Sequence, residues 1–164
     1  MSVHSGGILL FRIKDKRLEV LLVHPGGPFW TGKDEGAWSI PKGGFEEKES
    51  PLQAAKREFK EETGYEVTGR FTNLGTIRQP SKKIVHVWAH QSDLDVAFAT
   101  SNNFTMEWPR KSGIIREFPE LDKAEWFDIE KARKKIIKGQ AGFIDRLLVA
   151  VNYGPKKEAI RGPS

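Results

Sequence analysis

From Gly43 to Tyr65 the chain carries a double-glycine loop, the acid-rich stretch Phe45-Glu-Glu-Lys-Glu49, and then Arg57-Glu58-Phe59-Lys60-Glu61-Glu62-Thr63-Gly64-Tyr65. The local signals leave this segment few ways to fold. Ser50 suits an N-cap, Pro51 the first helical position, and Gln53 completes a capping box. Gly64 suits the left-handed residue that ends a helix. Leu52, Ala55 and Phe59 then form one apolar stripe. Glu58, Glu61 and Glu62 fall at i, i+3 and i+4, so they share a face one turn deep. Like charges at that spacing repel by roughly 0.2–0.5 kcal/mol per pair. An acidic helix face is commonly just a solvated one. Three such charges crowded together make sense if something positive sits on them. An oxygen-only donor set selects a hard divalent ion, Mg²⁺ or Mn²⁺, over zinc.

The 164 residues suffice for one domain with a real core. No apolar run approaches the length that crosses a bilayer. The start Met1-Ser-Val-His-Ser lacks the basic and apolar regions of a signal peptide. With no cysteine there are no disulfides and no thiolate metal sites. The expectation is a cytoplasmic protein without a membrane partner. A net charge of +5 suits an anionic partner, either a nucleic acid or a phosphorylated small molecule. The basic residues are dispersed, and no helix-turn-helix, zinc-finger or aromatic RNA-binding signature is present. Both readings stay open on these features, with no nucleic-acid-binding module to favour the first. Oligomeric state is not readable from these features.

Hydrophobic patterning predicts an alternating architecture. Ile8–Phe11 and Leu18–Val23 read as a hairpin, and 25–36, with four glycines and two prolines, as a loop. A short strand at Ala37–Ile40 leads to the glycine pair. Further strands are predicted near 66–71, 74–79, 84–90 and 124–128, with a polar irregular stretch over 92–113. Helices are predicted over Ile129–Ile137 and Ala141–Asn152, then a frayed tail. The elements specify an α/β layered domain over 1–154, with 155–164 as a disordered tail. His86 and His90, four apart on a strand, read as packing or surface residues.

Gly43, Glu49, Arg57, Glu58, Phe59, Glu61, Glu62 and Gly64 match the signature G-x5-E-x7-R-E-U-x-E-E-x-G-U, U being bulky and apolar. On this motif the chain resembles a Nudix hydrolase. Tyr65 stands at a position more often aliphatic. The motif covers residues 43–65 only. The resemblance implies an α/β/α sandwich with a mixed sheet. It also implies metal-dependent hydrolysis of a phosphoric anhydride in a nucleoside diphosphate-linked compound. Glu58 and Glu62 would be the principal metal ligands, with Glu61 close by and the Lys42 carbonyl at a position that often coordinates metal. Arg57 would orient a carboxylate, pairing with Glu61, and Glu49 would hold the loop on the helix. The base would be a glutamate of the motif, such as Glu61, or an acid on a later loop, Glu120 first and Glu117 second.

Substrate signals diverge. Trp38-Ser-Ile-Pro41-Lys-Gly43 is similar to the W-x-x-P-K-G of dinucleoside polyphosphate hydrolases. The tyrosine those enzymes often carry beyond the motif is absent, with Ser81, Lys82 and Lys83 in its place. Pro80 instead resembles a marker of ADP-ribose hydrolases. The expected substrate is a dinucleoside polyphosphate or a nucleoside triphosphate. The alternatives are ADP-ribose, an RNA 5′ end, or a domain that binds nucleotide without cleaving it. Lys42 and Lys83 are candidate phosphate contacts. Trp38, Phe29 and Trp30 are candidate base-stacking residues, or else core.

Overall fold

The computed structural model describes residues 3–96 and 101–152. The expected tail at 155–164 lies outside them. The chain order is β1 (Val3–Lys14), β2 (Arg17–Pro25), β3 (Lys42–Phe45), α1 (Pro51–Thr63), β4 (Thr72–Arg78), β5 (Lys83–Gln91), β6 (Asn103–Glu107), β7 (Ile115–Pro119), β8 (Leu121–Asp128), α2 (Ile129–Lys135), a 3-10 turn at Lys138–Gln140, and α3 (Gly142–Ala150).

The main sheet runs β4-β5-β1-β2-β8, with β3 also paired to β1. β1 and β5 are parallel and the other pairs antiparallel, so the sheet is mixed. β1 divides one of its edges between two partners. Residues 11–14 pair with β2, whereas residues 4–7 pair with β3. That division inserts the glycine loop into the sheet directly beneath α1. Alternation along β1 sends Ile8 and Leu10 to one face, where they pack with Ala55 and Phe59 of α1. Leu9 and Phe11 go to the other, against Phe143, Ile144 and Leu147 of α3. Helices thus cover both faces, giving the α/β/α sandwich.

Several elements differ from expectation. Ser50 occupies the N-cap position, but its side chain makes no cap hydrogen bond. Gly64 ends α1 at φ 82°, its N–H bonded to the Lys60 carbonyl. No strand forms over 66–71, because Gly69 turns the backbone at φ 110° and His90 Nδ1 engages the Arg70 carbonyl. The stretch 92–113 is not wholly irregular. Phe104 and Met106 alternate with polar residues in β6, which pairs with β7 as a separate two-stranded sheet. Both C-terminal helices are shorter than expected. α2 stops because Ile136 and Ile137 turn extended to flank Trp38, whose carbonyl accepts the Ile137 N–H at 2.7 Å. Among the described residues no helix is long and apolar enough to cross a bilayer.

The segment that delivers the chain to β3 is braced from a hundred residues away. Gln140 is fully buried, and its Oε1 accepts the Ile40 N–H at 2.9 Å. Its Nε2 donates to Ser39 Oγ at 3.1 Å. Gln140→Leu keeps the volume but leaves that amide unpaired in the core. It should cost about 1–3 kcal/mol, read as a Tm lower by several degrees in thermal denaturation.

Candidate active site

α1 lays its acidic face over β3. Lys42 turns its N–H away from β1 and donates it to Glu62 Oε1 at 2.7 Å. In an extended strand a residue's carbonyl faces the same edge as its N–H, so the Lys42 carbonyl also borders Glu62. Gly43 lies against Glu58: a Cβ there would collide with that carboxylate. The glycine leaves room for that carboxylate where Arg57 holds it, and no special φ is involved. Gly44 makes no such contact with α1.

Arg57 gathers the acids on the outer side. It forms a two-pronged pair with Glu49, Nε to Oε2 and Nη2 to Oε1, both at 2.8 Å. Its Nη1 reaches Glu58 Oε1 at 2.8 Å and Glu61 Oε1 at 3.3 Å. The fork geometry makes Glu49 the firmest partner, ahead of the Glu61 pairing that helix spacing suggested. The Glu49 hydrogen bond holds the guanidinium above its ordinary pKa, and the same bond holds Glu49 below its own. Glu49 thereby ties the loop before α1 to the helix.

The three motif glutamates are not equivalent. Glu61 faces outward, its side chain 47% exposed, with a long contact to Arg57. Glu58 is more enclosed, and burial raises its pKa against the pull of Arg57. Glu62 is pushed up to about 8, first by burial, with Glu58 and Glu120 adding repulsion and the Lys42 N–H opposing. Glu120 follows β7 and is exposed, yet its charge acts on both Glu58 and Glu62. Glu117 instead accepts a hydrogen bond from Asn103 on the hairpin.

Two cations complete the arrangement. Lys42 is partly buried and stands beside Lys83, the first residue of β5. Burial, then the Lys83 charge, pull the Lys42 ammonium below its usual pKa, while Glu62 and Glu58 oppose. A cleft of about 390 Å³ opens next to Glu62, lined by Ser101 and by Leu121 to Glu125 of β8.

Trp38 requires a correction. It is 3% exposed and meets Phe127 edge-on at 4.9 Å and His24 at 5.1 Å. Its indole N–H is bound to Asp34. No ring face is open to a base, so Trp38 is a core residue. Pro80 lies in the β4–β5 turn, closed by the Gln79 N–H on the Lys83 carbonyl. His86 pairs with His4 at 3.0 Å, and His90 stacks on Phe71.

The donor chemistry fits a hard divalent cation. Glu58 and Glu62 present oxygens one turn apart beside a main-chain carbonyl. Two carboxylates with water and substrate phosphates suffice for Mg²⁺. Among the described residues no three acidic or imidazole side chains converge into a closed cage, so the remaining positions would fall to water and phosphate.

A sequence model of the NUDIX domain matches residues 3–147. The RNA pyrophosphohydrolase of Hydrogenovibrio crunogenus is 38% identical over 74 residues, covering 41% of this chain and 45% of that protein. The chain thus aligns with less than half of that relative's length. Among solved structures, the NUDIX domain of Shewanella oneidensis NrtR, complexed with ADP ribose, superposes with a TM-score of 0.63. Its identity is 17%, over 92% of this chain and 89% of that one. A C. elegans Ap4A hydrolase superposes with a TM-score of 0.61 at 19% identity, over 92% of this chain and 98% of that one. These likenesses establish the fold.

Glu62 makes stability depend on pH. The folded, metal-free protein keeps the Glu62 proton to about pH 8, whereas an ordinary carboxyl, as in the unfolded chain, releases it near 4.5. Across that window the native state binds more protons, so the Glu62 contribution to stability falls as pH rises. In EDTA, Glu62→Gln should melt higher than the unmodified chain at pH 8 and nearly equal to it below pH 4.5, as measured by thermal denaturation.

Proposed function

The chain belongs to the NUDIX family, and on that premise we propose that it hydrolyses a phosphoric anhydride bond in a nucleoside polyphosphate, with Mg²⁺ or Mn²⁺ held by Glu58 and Glu62. The observation that carries this reading is the juxtaposition of two enclosed carboxylates with two lysines, Lys42 and Lys83. Neighbouring carboxylates serve a cation, and neighbouring ammonium groups serve an anion. A metal-bound polyphosphate is both at once.

A divalent ion bound there would neutralise phosphate oxygens and lower the pKa of a coordinated water. The chain's own residues do the remainder. Arg57, anchored by Glu49, sets the orientation of the Glu58 carboxylate. Gly43 leaves the space that lets that carboxylate lie against the loop. The Lys42 N–H holds Glu62 in place, while the Lys42 and Lys83 ammonium groups bind phosphate oxygens as point charges. Glu120, exposed and within electrostatic reach of both ligands, accepts the proton of the attacking water. Glu61 is the alternative base, since it lies on the same helix face and is free of enclosure.

The substrate we favour is a linear polyphosphate bearing nucleosides, a dinucleoside polyphosphate first. A second reading, the 5′ polyphosphate of RNA, is favoured by the relative named RNA pyrophosphohydrolase and by the net charge of +5. ADP-ribose is a third candidate, since the NUDIX domain of Shewanella oneidensis NrtR was solved with ADP ribose bound. We place the enzyme in the cytoplasm, in keeping with the absence of cysteine.

A panel of diadenosine tetraphosphate, nucleoside triphosphates, ADP-ribose and 5′-triphosphorylated RNA, assayed with each metal, should give turnover that EDTA abolishes. Glu58→Gln and Glu62→Gln should each lower kcat/KM by about 10²–10³-fold, the loss of several kcal/mol of metal-borne stabilisation. Glu120→Gln should lower kcat by about 10²–10⁴-fold with KM little changed. Undiminished turnover in both Glu58→Gln and Glu62→Gln would discard the metal assignment.

A further inference from the structure

A patch near Glu120 is built like a ligand site and takes no part in the chemistry above. It lies where the 26–36 loop meets the β6–β7 hairpin. Phe29 and Trp30 are 44% and 37% exposed. Trp108 meets Phe29 edge-on at 5.7 Å. The Arg110 guanidinium lies 5.0 Å over the Phe29 ring, and Lys33 Nζ lies 5.3 Å over Trp30. A two-stranded hairpin is marginal alone, so its attachment to this loop is what orders the patch.

Both halves are held firmly. At the hairpin tip, the Glu107 carboxylate accepts the N–H groups of Lys111 at 2.8 Å and Gly113 at 3.1 Å. In the loop, the Lys33 carbonyl is bound by the buried His24, and Asp34 pairs with Lys135. Among the described residues no carboxylate lies within ion-pair distance of Lys33, Arg110 or Lys111. Exposed rings interleaved with uncompensated cations suit a flat, electron-rich group joined to a negative one. An arginine plane over an aromatic ring extends such a surface, because bases stack on guanidinium as well as on rings. The patch is also continuous with the acidic cluster. Gly26 donates to the Glu120 carbonyl at 2.8 Å, and Phe29 follows three residues later, at most about 11 Å further along the chain.

We propose that Phe29, Trp30, Arg110, Lys111 and Lys33 form a second binding site, which stacks an unpaired nucleobase and holds the phosphate next to it. The inference rests on the nucleotide reading above and extends it to the substrate's far end. Such a base arrives either as the second nucleoside of a dinucleoside polyphosphate or as a downstream nucleotide of single-stranded RNA.

The test is isothermal titration calorimetry on the full chain in EDTA, which stops turnover. The probes are diadenosine tetraphosphate and an unphosphorylated oligoadenylate. Phe29→Ala and Trp30→Ala should each weaken binding by about 5- to 100-fold, and Trp30→Phe should restore it by returning a ring. Arg110→Ala should also flatten the dependence of log K on log salt by about one phosphate contact. Unchanged melting temperatures would show that these surface variants remain folded. Binding of the dinucleotide alone assigns the site to a second nucleoside, and binding of the oligoadenylate assigns it to RNA. The proposal is overturned if neither probe binds the unmodified chain, or if the alanine variants bind as tightly as it does. Should the variants lose binding while no member of the panel is hydrolysed, the hydrolase reading fails and this site stands.

Discussion

The bond between the Lys42 N–H and the Glu62 carboxylate is the constraint on which the candidate site depends. It joins a strand of the sheet to the last turn of α1. A carboxylate that accepts a backbone N–H at the strand edge can no longer rotate into solvent. The helix lies close enough to β3 that a side chain at residue 43 would displace the Glu58 carboxylate. Enclosure of Glu58 and Glu62 follows from that approach, and their raised pKa values follow from enclosure. A cation bound beside them would favour their charged forms and draw off the Glu62 proton.

The sheet topology makes this approach possible. β1 is long, and its N-terminal half is not taken by the hairpin partner β2. A loop strand fills that vacancy, so backbone rather than side chain meets the helix. The bracing continues on the opposite side of the sheet. Gln140 and the extended residues after α2 clamp 38–40, which set the register of β3. The acidic face of α1 and β3 is thus supported from the C-terminal helices through the central sheet. This arrangement gives the fully buried Gln140 a reason to be polar: it satisfies an amide that no strand can reach.

Arg57 illustrates how local charge and tertiary placement interact. On an isolated helix its natural partner is Glu61 at i,i+4. In the folded chain the fork of Glu49 competes better, since two parallel hydrogen bonds fix both planes. The consequence is a division of labour among three adjacent glutamates. Glu58 is oriented, Glu62 is enclosed, and Glu61 is left exposed.

Much of this protein follows from its sequence taken alone. The spacing of Glu58, Glu61 and Glu62, the proline start and the Gly64 stop specify an acidic helix, because helical periodicity and capping are local properties. The continuous apolar runs of β1 and β2 and the alternation of β5 likewise mark strands. Tertiary structure decided what depends on partners distant in the chain. Trp38 looks the same in sequence whether it stacks on a base or fills a core, and Phe127 and His24 settle that it is core. The β6–β7 hairpin escaped a pattern reading because its alternation is short and mostly polar, and only its pairing and its anchorage on Gly27 and Phe29 make it a strand pair. Which glutamate is enclosed is invisible at i, i+3, i+4 spacing, since angular proximity on a helix says nothing about what packs against it. Burial is set by the opposing strand, and the opposing strand is chosen by the fold.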